Sequence, residues 1–256
     1  LRNRTFRRLF TAQVVALVGT GLLTVALGLL AYDLAGAQAG AVLGTALAIK
    51  MVAYVVIAPV ISAVTDQVPR RALLVGADVV RAVIALALPF VDQPWQIYVL
   101  IFVLQSASAT FTPAFQSVIP SVLVDEDDYT RGLSLSRLAY DLESLLSPIL
   151  AAALLSVVTY NYLFLGTVAG FAASALLVVS TSLPMIAPAD RSVPLVQRIT
   201  LGARVMFSLP RLRGLLALNL SVAAATGLVL VNTVVYVREL LGGSNTGVAI
   251  ALGIYG

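Results

Sequence analysis

The chain has 256 residues, of which 60% are hydrophobic and only 11% charged, with a formal net charge of +4 and a mean hydropathy of +0.99. Soluble domains are about a quarter charged, so the composition describes an all-α polytopic protein of the lipid bilayer. The absence of cysteine and histidine excludes disulfides, thiol nucleophiles, zinc sites and histidine acid–base chemistry; no cofactor or metal is expected, and the arginine excess reports membrane orientation rather than a nucleic-acid partner.

A helix needs about 20 apolar residues to cross roughly 30 Å of hydrocarbon. Runs at 9–32, 41–63, 72–91, 96–120, 131–157, 162–182 and 214–237 predict seven spans, with an eighth beginning near Gly247. The chain starts at Leu1 and ends in the short apolar run "GVAIALGIYG", so a fragment cut inside a membrane segment is expected. The first run is too long for a signal-peptide core and lacks a cleavage site, and it counts as a span. Turn-like separators follow in order: "GAQAG", "DQVPRR", "VDQPW", "DEDD" and "TYNY".

Twelve of the 16 basic residues fall on alternate connections. These are Arg2, Arg4, Arg7 and Arg8, then Arg70 and Arg71, then Arg131, then Arg191, Arg198, Arg204, Arg211 and Arg213. The opposite connections hold only Arg238, while Lys50, Arg81 and Arg137 lie inside spans. By the positive-inside rule the N-terminus and the 66–71 loop are cytoplasmic.

Three regions result: a six-helix bundle over 1–182, a cytoplasmic linker over 183–213, and the start of a second bundle over 214–256. Within the linker, "LVQRITLGARVMF" reads either as an amphipathic helix on the membrane surface or as a plain flexible connection. With an offset of 206 residues, Arg7 aligns with Arg213, Gln13 with Asn219, and Thr20-Gly21-Leu22 with Thr226-Gly227-Leu228. Asp33 likewise aligns with Glu239, and Gly36 with Gly242. Spans 1 and 7 thus read as equivalent helices of two parallel halves.

Charges inside spans are costly, roughly 2.5–3.5 kcal/mol at the centre, and need a partner or a wet cavity. Lys50, near the middle of span 2, is either a cavity-facing cation or one member of a fixed ion pair with a neighbouring span. In span 5, Arg137 and Asp141 are four apart and neutralise each other. Glu143 points the other way, in line with Ser136, Tyr140 and Ser147, and is a candidate protonatable group. Asp78 and Arg81 read as a local or loop-bracing pair. Polar stripes run along span 1 (Gln13, Thr20, Thr24), span 4 (Gln105, Ser108, Thr112, Gln116) and span 7 (Asn219, Thr226, Thr233). Such residues turn inward, toward a polar path or toward interhelical hydrogen bonds. Asp33 and Glu239 sit at the outer ends of spans 1 and 7.

The opening "RNRTFRRLFTAQVVALVGTGLLTVALGLLAYDLAG", the span 4 stretch "SASATFTPAFQSVIPSVLV" and "FSLPRLRGLLALNL" before span 7 carry a family likeness. In these the chain resembles the major facilitator superfamily, nearest its bacterial macrolide-efflux and enterobactin-exporter-like branch, over essentially its whole length. Ser62, Asp66, Arg70 and Arg71 fall on the family's G-x-x-x-D-R-x-G-R-R loop signature, with Ser62, Gln67 and Pro69 as departures. "ESLLSPILAA" matches the antiporter signature G-x-x-x-G-P-x-x-G-G at Pro148, with Ser147, Ala151 and Ala152 in place of glycines. The arginine of the span 4 signature R-x-x-Q-G has no counterpart.

The resemblance implies a fold of six plus six helices, here ending after about seven and a half. It implies that spans 1, 4 and 7 line a central cavity, making the polar stripes, with Lys50, Glu143 and Asp33, a substrate and proton pathway. It implies that Ser62, Asp66, Arg70 and Arg71, with Asp128 as a partner, form a gating latch. The expected activity is proton-coupled export of a small amphipathic molecule, such as a drug or siderophore, by a monomer in the bacterial inner membrane. Its partners would be that substrate, protons and the bilayer, with no enzymatic reaction. The alternatives are an uptake or facilitative permease without proton antiport, then a membrane scaffold.

Overall fold

The computed structural model describes residues 3–64, 68–183, 200 and 204–255. Asp66, the side chain of Ser62 and most of the 183–213 linker, with its amphipathic-helix alternative, lie outside the described residues. The described residues form helices and no strands: α1 (Arg4–Ala35), α2 (Ala39–Val64), α3 (Arg70–Ala87), α4 (Pro94–Val122), α5 (Glu126–Leu155), α6 (Asn161–Val179), α7 (Pro210–Val235) and α8 (Asn245–Tyr255). A π-helical turn, Tyr236–Leu240, continues α7. All but α8 are long and apolar enough to cross a bilayer, α1 and α2 being joined into one apolar stretch by a single 3₁₀ turn over Gly36–Gln38.

Local chemistry starts these helices. Asn3 caps α1, its Oδ1 accepting from the Phe6 N–H at 3.1 Å, and its Nδ2 donates to the Val122 carbonyl at 2.9 Å, tying the start of α1 to the end of α4. Gln93 and Gln96 form a reciprocal capping box ahead of α4, with Pro94 in the first turn where its missing N–H costs nothing. The acidic run read as a separator is mostly helix: Asp125 caps α5 by accepting from the Asp128 N–H at 3.0 Å, and Glu126–Asp128 form the first turn. Carboxylates there face the positive end of the helix dipole, which draws the boundary back into the run. Asp128 therefore sits on α5 rather than in a loop, and it pairs with no arginine among the described residues.

The first six helices run alternately away from and back to the end that holds the N-terminus. At that end arginines close the helices. Arg8 Nη1 donates to the Ser180 carbonyl at 2.7 Å, Arg70 Nη1 to the Ser117 carbonyl at 2.7 Å, and Arg71 to the Val179 carbonyl. The carbonyls of Val179 and Ser180, orphaned at the end of α6, are thus met by cations, and that of Ser117 lies just over a turn before the end of α4, where the negative pole of the helix also favours them.

α1 is the axis of the bundle, buried from Phe6 to Ala31. It lies against α6 where Gly19 meets Gly170: a Cβ on Gly170 would come within 3.0 Å of the Val15 carbonyl. Thr167 then donates to the Gly19 carbonyl at 2.9 Å. In lipid, where association relies on close packing, small residues permit this approach.

α7 runs parallel to α1 and touches the bundle along its second half only, its first half being exposed. Residues 206 apart reach the same level. Thr20 and Thr226 line one cavity, and a Cβ on Gly28 would stand 3.0 Å from Val234 Cγ2. The offset seen in the sequence is therefore a spatial register between the two helices.

Candidate functional site

Between α1, α2, α4, α5, α7 and α8 lies a cavity of about 300 Å³. Most of its wall is apolar, from residues such as Leu27, Leu43, Ala46, Ile101, Leu230 and Val234. Set into it are Thr20 and Thr24 on α1, Lys50 on α2, Gln105 on α4, Glu143 on α5 and Thr226 on α7. An apolar pocket with a few convergent polar groups is the usual form of a small-molecule site. Tyr255 of α8 donates to Thr226 Oγ1 at 3.0 Å, tying the α8 end to the α7 wall.

Lys50 and Glu143 are each other's charged neighbour across this space, yet no direct ion pair joins them. Both are half-buried. Two opposite charges held apart in a low-dielectric wall attract strongly and remain free to bind a third group between them. Two features of α5 and α1 place Glu143. Pro148 lacks an N–H, which releases the Ser144 carbonyl from the helix ladder one turn below, and both residues line the cavity. Gly21 leaves room for α5: a Cβ there would fall inside the Ser147 side chain and 3.0 Å from Glu143 Oε1.

The structure brings together Lys50, Glu143, Thr20, Thr24, Gln105 and Thr226. It sets the other expected pathway residues elsewhere. Gln13 is buried between helices, its Oε1 accepting from Ser136 Oγ at 3.0 Å. Ser108 and Thr112 turn back to their own helix, donating to the Leu104 carbonyl at 3.1 Å and the Ser108 carbonyl at 3.3 Å. Asn219 is exposed on the first half of α7 and donates to the Leu215 carbonyl at 2.9 Å. Asp33 is exposed at the far end of α1, facing Tyr160, the residue before α6. Burial and this carboxylate push the Tyr160 hydroxyl up to about 12. Of the loop motif, Arg70 and Arg71 brace α4 and α6 as described above. The expected pairing of Arg137 and Asp141 is present at 3.3 Å on an exposed face.

Asp78 and Arg81 form the local pair that their spacing suggested, and not the loop-bracing one. The pair lies buried in the bundle, and Asp78 accepts a second bond from Ser174 at 2.7 Å. A pair three apart on one helix was visible in the sequence; the partners on α4 and α6 were not.

The sequence model of the Major Facilitator Superfamily matches residues 9–256. Macrolide efflux protein A of Streptococcus pyogenes is 26% identical over 184 residues, covering 70% of this chain and 45% of that protein. The Enterococcus faecalis protein of the same name is 27% identical over 136 residues, covering 51% of this chain and 42% of its own. Multidrug resistance protein MdtG of Enterobacter lignolyticus (strain SCF1) is 29% identical over 113 residues, 43% of this chain and 27% of that protein. These matches span less than half the length of each relative. Among solved structures, a mutant of the nucleoside transporter NupG superposes with a TM-score of 0.78 at 13% identity, over 97% of this chain and 63% of that one, a likeness of fold.

Proposed function

From the premise that the chain belongs to the major facilitator superfamily, we propose that it is part of a secondary active transporter that exports a small amphipathic molecule in exchange for protons. The carrying observation is the cavity on the shared face of α1 and α7, where Lys50 and Glu143 stand opposed in an apolar wall. The apolar surface suits the body of such a substrate, the threonines and Gln105 its hydroxyl and carbonyl groups, and the two charges its ionic group or a proton. Support for the direction of transport comes from the relatives named for macrolide and multidrug efflux.

In this reading the halves rock about the central site, which opens to each side in turn. The contacts at the far end, with the first half of α7 standing free of the bundle, correspond to closure at that end. The arginine placement supports a cytoplasmic N-terminal end for such a transporter in a bacterial inner membrane. The latch built on Asp66, Arg70 and Arg71 would act at that face.

The test is transport of radiolabelled erythromycin, a macrolide, by the full-length protein in proteoliposomes with and without an imposed pH gradient. Accumulation that follows the gradient is expected. Movement indifferent to the gradient would sink the antiport claim and leave a facilitative permease.

A further inference from the structure

Three arginines stand in the first two turns of α1, where helix stability does not call for them. Cations at that end oppose the positive pole of the helix dipole, and the first turn of α1 holds no carboxylate to offset them. By contrast α5 begins with Glu126, Asp127 and Asp128. Arg4 and Arg7 are exposed, and among the described residues neither side chain makes a hydrogen bond or an ion pair. Arg8 donates to the Ser180 carbonyl at 2.7 Å, which fixes its guanidinium at the end of α6 and leaves its other N–H groups open.

These cations surround one space. Arg4, Arg7, Arg8 and Thr11 fall at i, i+3, i+4 and i+7, a single helix face, and with Leu177 of α6 they line a groove of about 400 Å³. The Thr11 hydroxyl is turned to the Arg7 carbonyl at 2.9 Å, so the donors left to the groove are guanidinium N–H groups. An apolar stripe ends at the same place. Along α6, Tyr162, Leu165, Ala169, Ala172, Leu176 and Val179 are exposed at steps of three or four, and the stripe stops beside Ser180, which holds Arg8. The second bundle grows from other helices, α7 lying against α1 and α2 and α8 against α5, which leaves the stripe to the hydrocarbon.

We propose that this groove binds the headgroup of an anionic phospholipid, whose acyl chains lie along the α6 stripe. Arg4 and Arg7 meet the phosphate oxygens with their planar N–H forks, while Arg8 stays on Ser180 and adds its charge. Such a lipid complements both parts of the feature: a phosphate for cations with no acid of their own, and hydrocarbon for a stripe with no helix over it. Free phosphate gains nothing from the stripe, and a zwitterionic lipid brings a further cation into a basic groove. The positive-inside rule favours the cytoplasmic leaflet for this end, where anionic headgroups attract basic clusters. Once bound, the lipid reinforces the Arg8–Ser180 bond in joining the start of α1 to the end of α6. The site is independent of what the central cavity carries.

The experiment is native mass spectrometry with thermal unfolding of the full-length protein in detergent. Phosphatidylglycerol, phosphatidylcholine with the same acyl chains, and inorganic phosphate are added in turn. Phosphatidylglycerol is expected to stay bound and to raise the unfolding temperature, and the other two to do neither. Two arginines near an anionic headgroup correspond to about a thirtyfold change in affinity. Arg4→Gln/Arg7→Gln should therefore hold phosphatidylglycerol about thirtyfold more weakly and lose its thermal shift. Arg131→Gln removes an exposed arginine near the start of α5, outside the groove, and should change neither readout. Should the glutamine pair fail to fold, Arg4→Lys/Arg7→Lys keeps the charge but loses the fork; weaker lipid retention then supports the site, and undiminished retention overturns it. Equal stabilisation by phosphatidylcholine, or the full shift from inorganic phosphate, would also overturn it. So would lipid retention that survives Arg4→Gln/Arg7→Gln, or that falls as far in Arg131→Gln, the mark of diffuse charge rather than a built groove.

Discussion

Tyr32, at the end of α1, donates its hydroxyl to Glu239 Oε1 at 2.8 Å, joining the six-helix bundle to the π-helical turn that follows α7. The guanidinium of Arg238 stacks on the same ring, 4.9 Å from its centroid. A π-helical turn shifts the register of the side chains that follow it, and here consecutive residues both reach one tyrosine. Gly28, one turn deeper, leaves room for Val234, whose Cγ2 would stand 3.0 Å from a Cβ at that position. Loss of the polar contact should favour opening at this end. Spin labels on cysteines introduced at Ala37 and Leu241 report it cleanly, because the chain has no cysteine of its own. The expected result for Tyr32→Phe and Glu239→Gln is a larger population of long distances; unchanged distance distributions would deny the contact any part in closure.

Lys50 and Glu143 compensate one another across the cavity. Either Lys50→Met or Glu143→Gln leaves a single charge in a low-dielectric wall, and the double variant leaves none. Each single variant should lose transport while still inserting in the membrane. Their effects on thermal unfolding should be non-additive, with a coupling of about 0.5–3 kcal/mol in a double-mutant cycle. Additive effects, or normal transport by both single variants, would remove the pair from the site.

Gly21 and Ser147 set the distance between α1 and α5. Gly21→Ala forces a methyl group into Ser147 and should cost about 1–3 kcal/mol as overpacking, with partial rescue by Ser147→Gly. Ser147 Oγ is buried without a hydrogen-bond partner among the described residues. Ser147→Ala should therefore be neutral or slightly stabilising, since it removes an unpaired buried hydroxyl. Thermal unfolding in detergent measures all three; a strongly destabilised Ser147→Ala would show that the hydroxyl is satisfied in the membrane.

Tyr160 offers a pH probe at the far end, outside the spans. Burial and the Asp33 carboxylate raise its hydroxyl from 10.0 to about 12. A group whose folded value is raised contributes stability that is fully present below its unfolded value and lost as pH rises through the folded one. That contribution therefore fades between about pH 10 and 12. Tyrosinate absorbance, taken as the difference between the native protein and Tyr160→Phe, should show this late titration, and Asp33→Asn should bring it earlier. A difference spectrum titrating like an ordinary tyrosine would separate Tyr160 from Asp33.

The number and order of the long helices were legible because bilayer thickness converts directly into run length, and 9–32 or 96–120 needed nothing else. The Arg137–Asp141 pair was legible because helical spacing places i and i+4 together whatever surrounds them. The 206-residue offset also carried through to space, with Thr20 beside the same cavity as Thr226. What tertiary structure alone decided was which face meets which neighbour, and at what depth. Gln13 shares a stripe with Thr20 and Thr24, yet near the N-terminal end that stripe meets Ser136 of α5, while the threonines face open space. Helical periodicity sets a residue's angle about its own axis, but not the angle or height of the neighbouring axes. Lys50 could be read as a charge in need of a partner; that Glu143 is the partner, and that Asp78 and Arg81 lie among Ser174, Phe111 and Phe171, follows only from how six helices pack around α1.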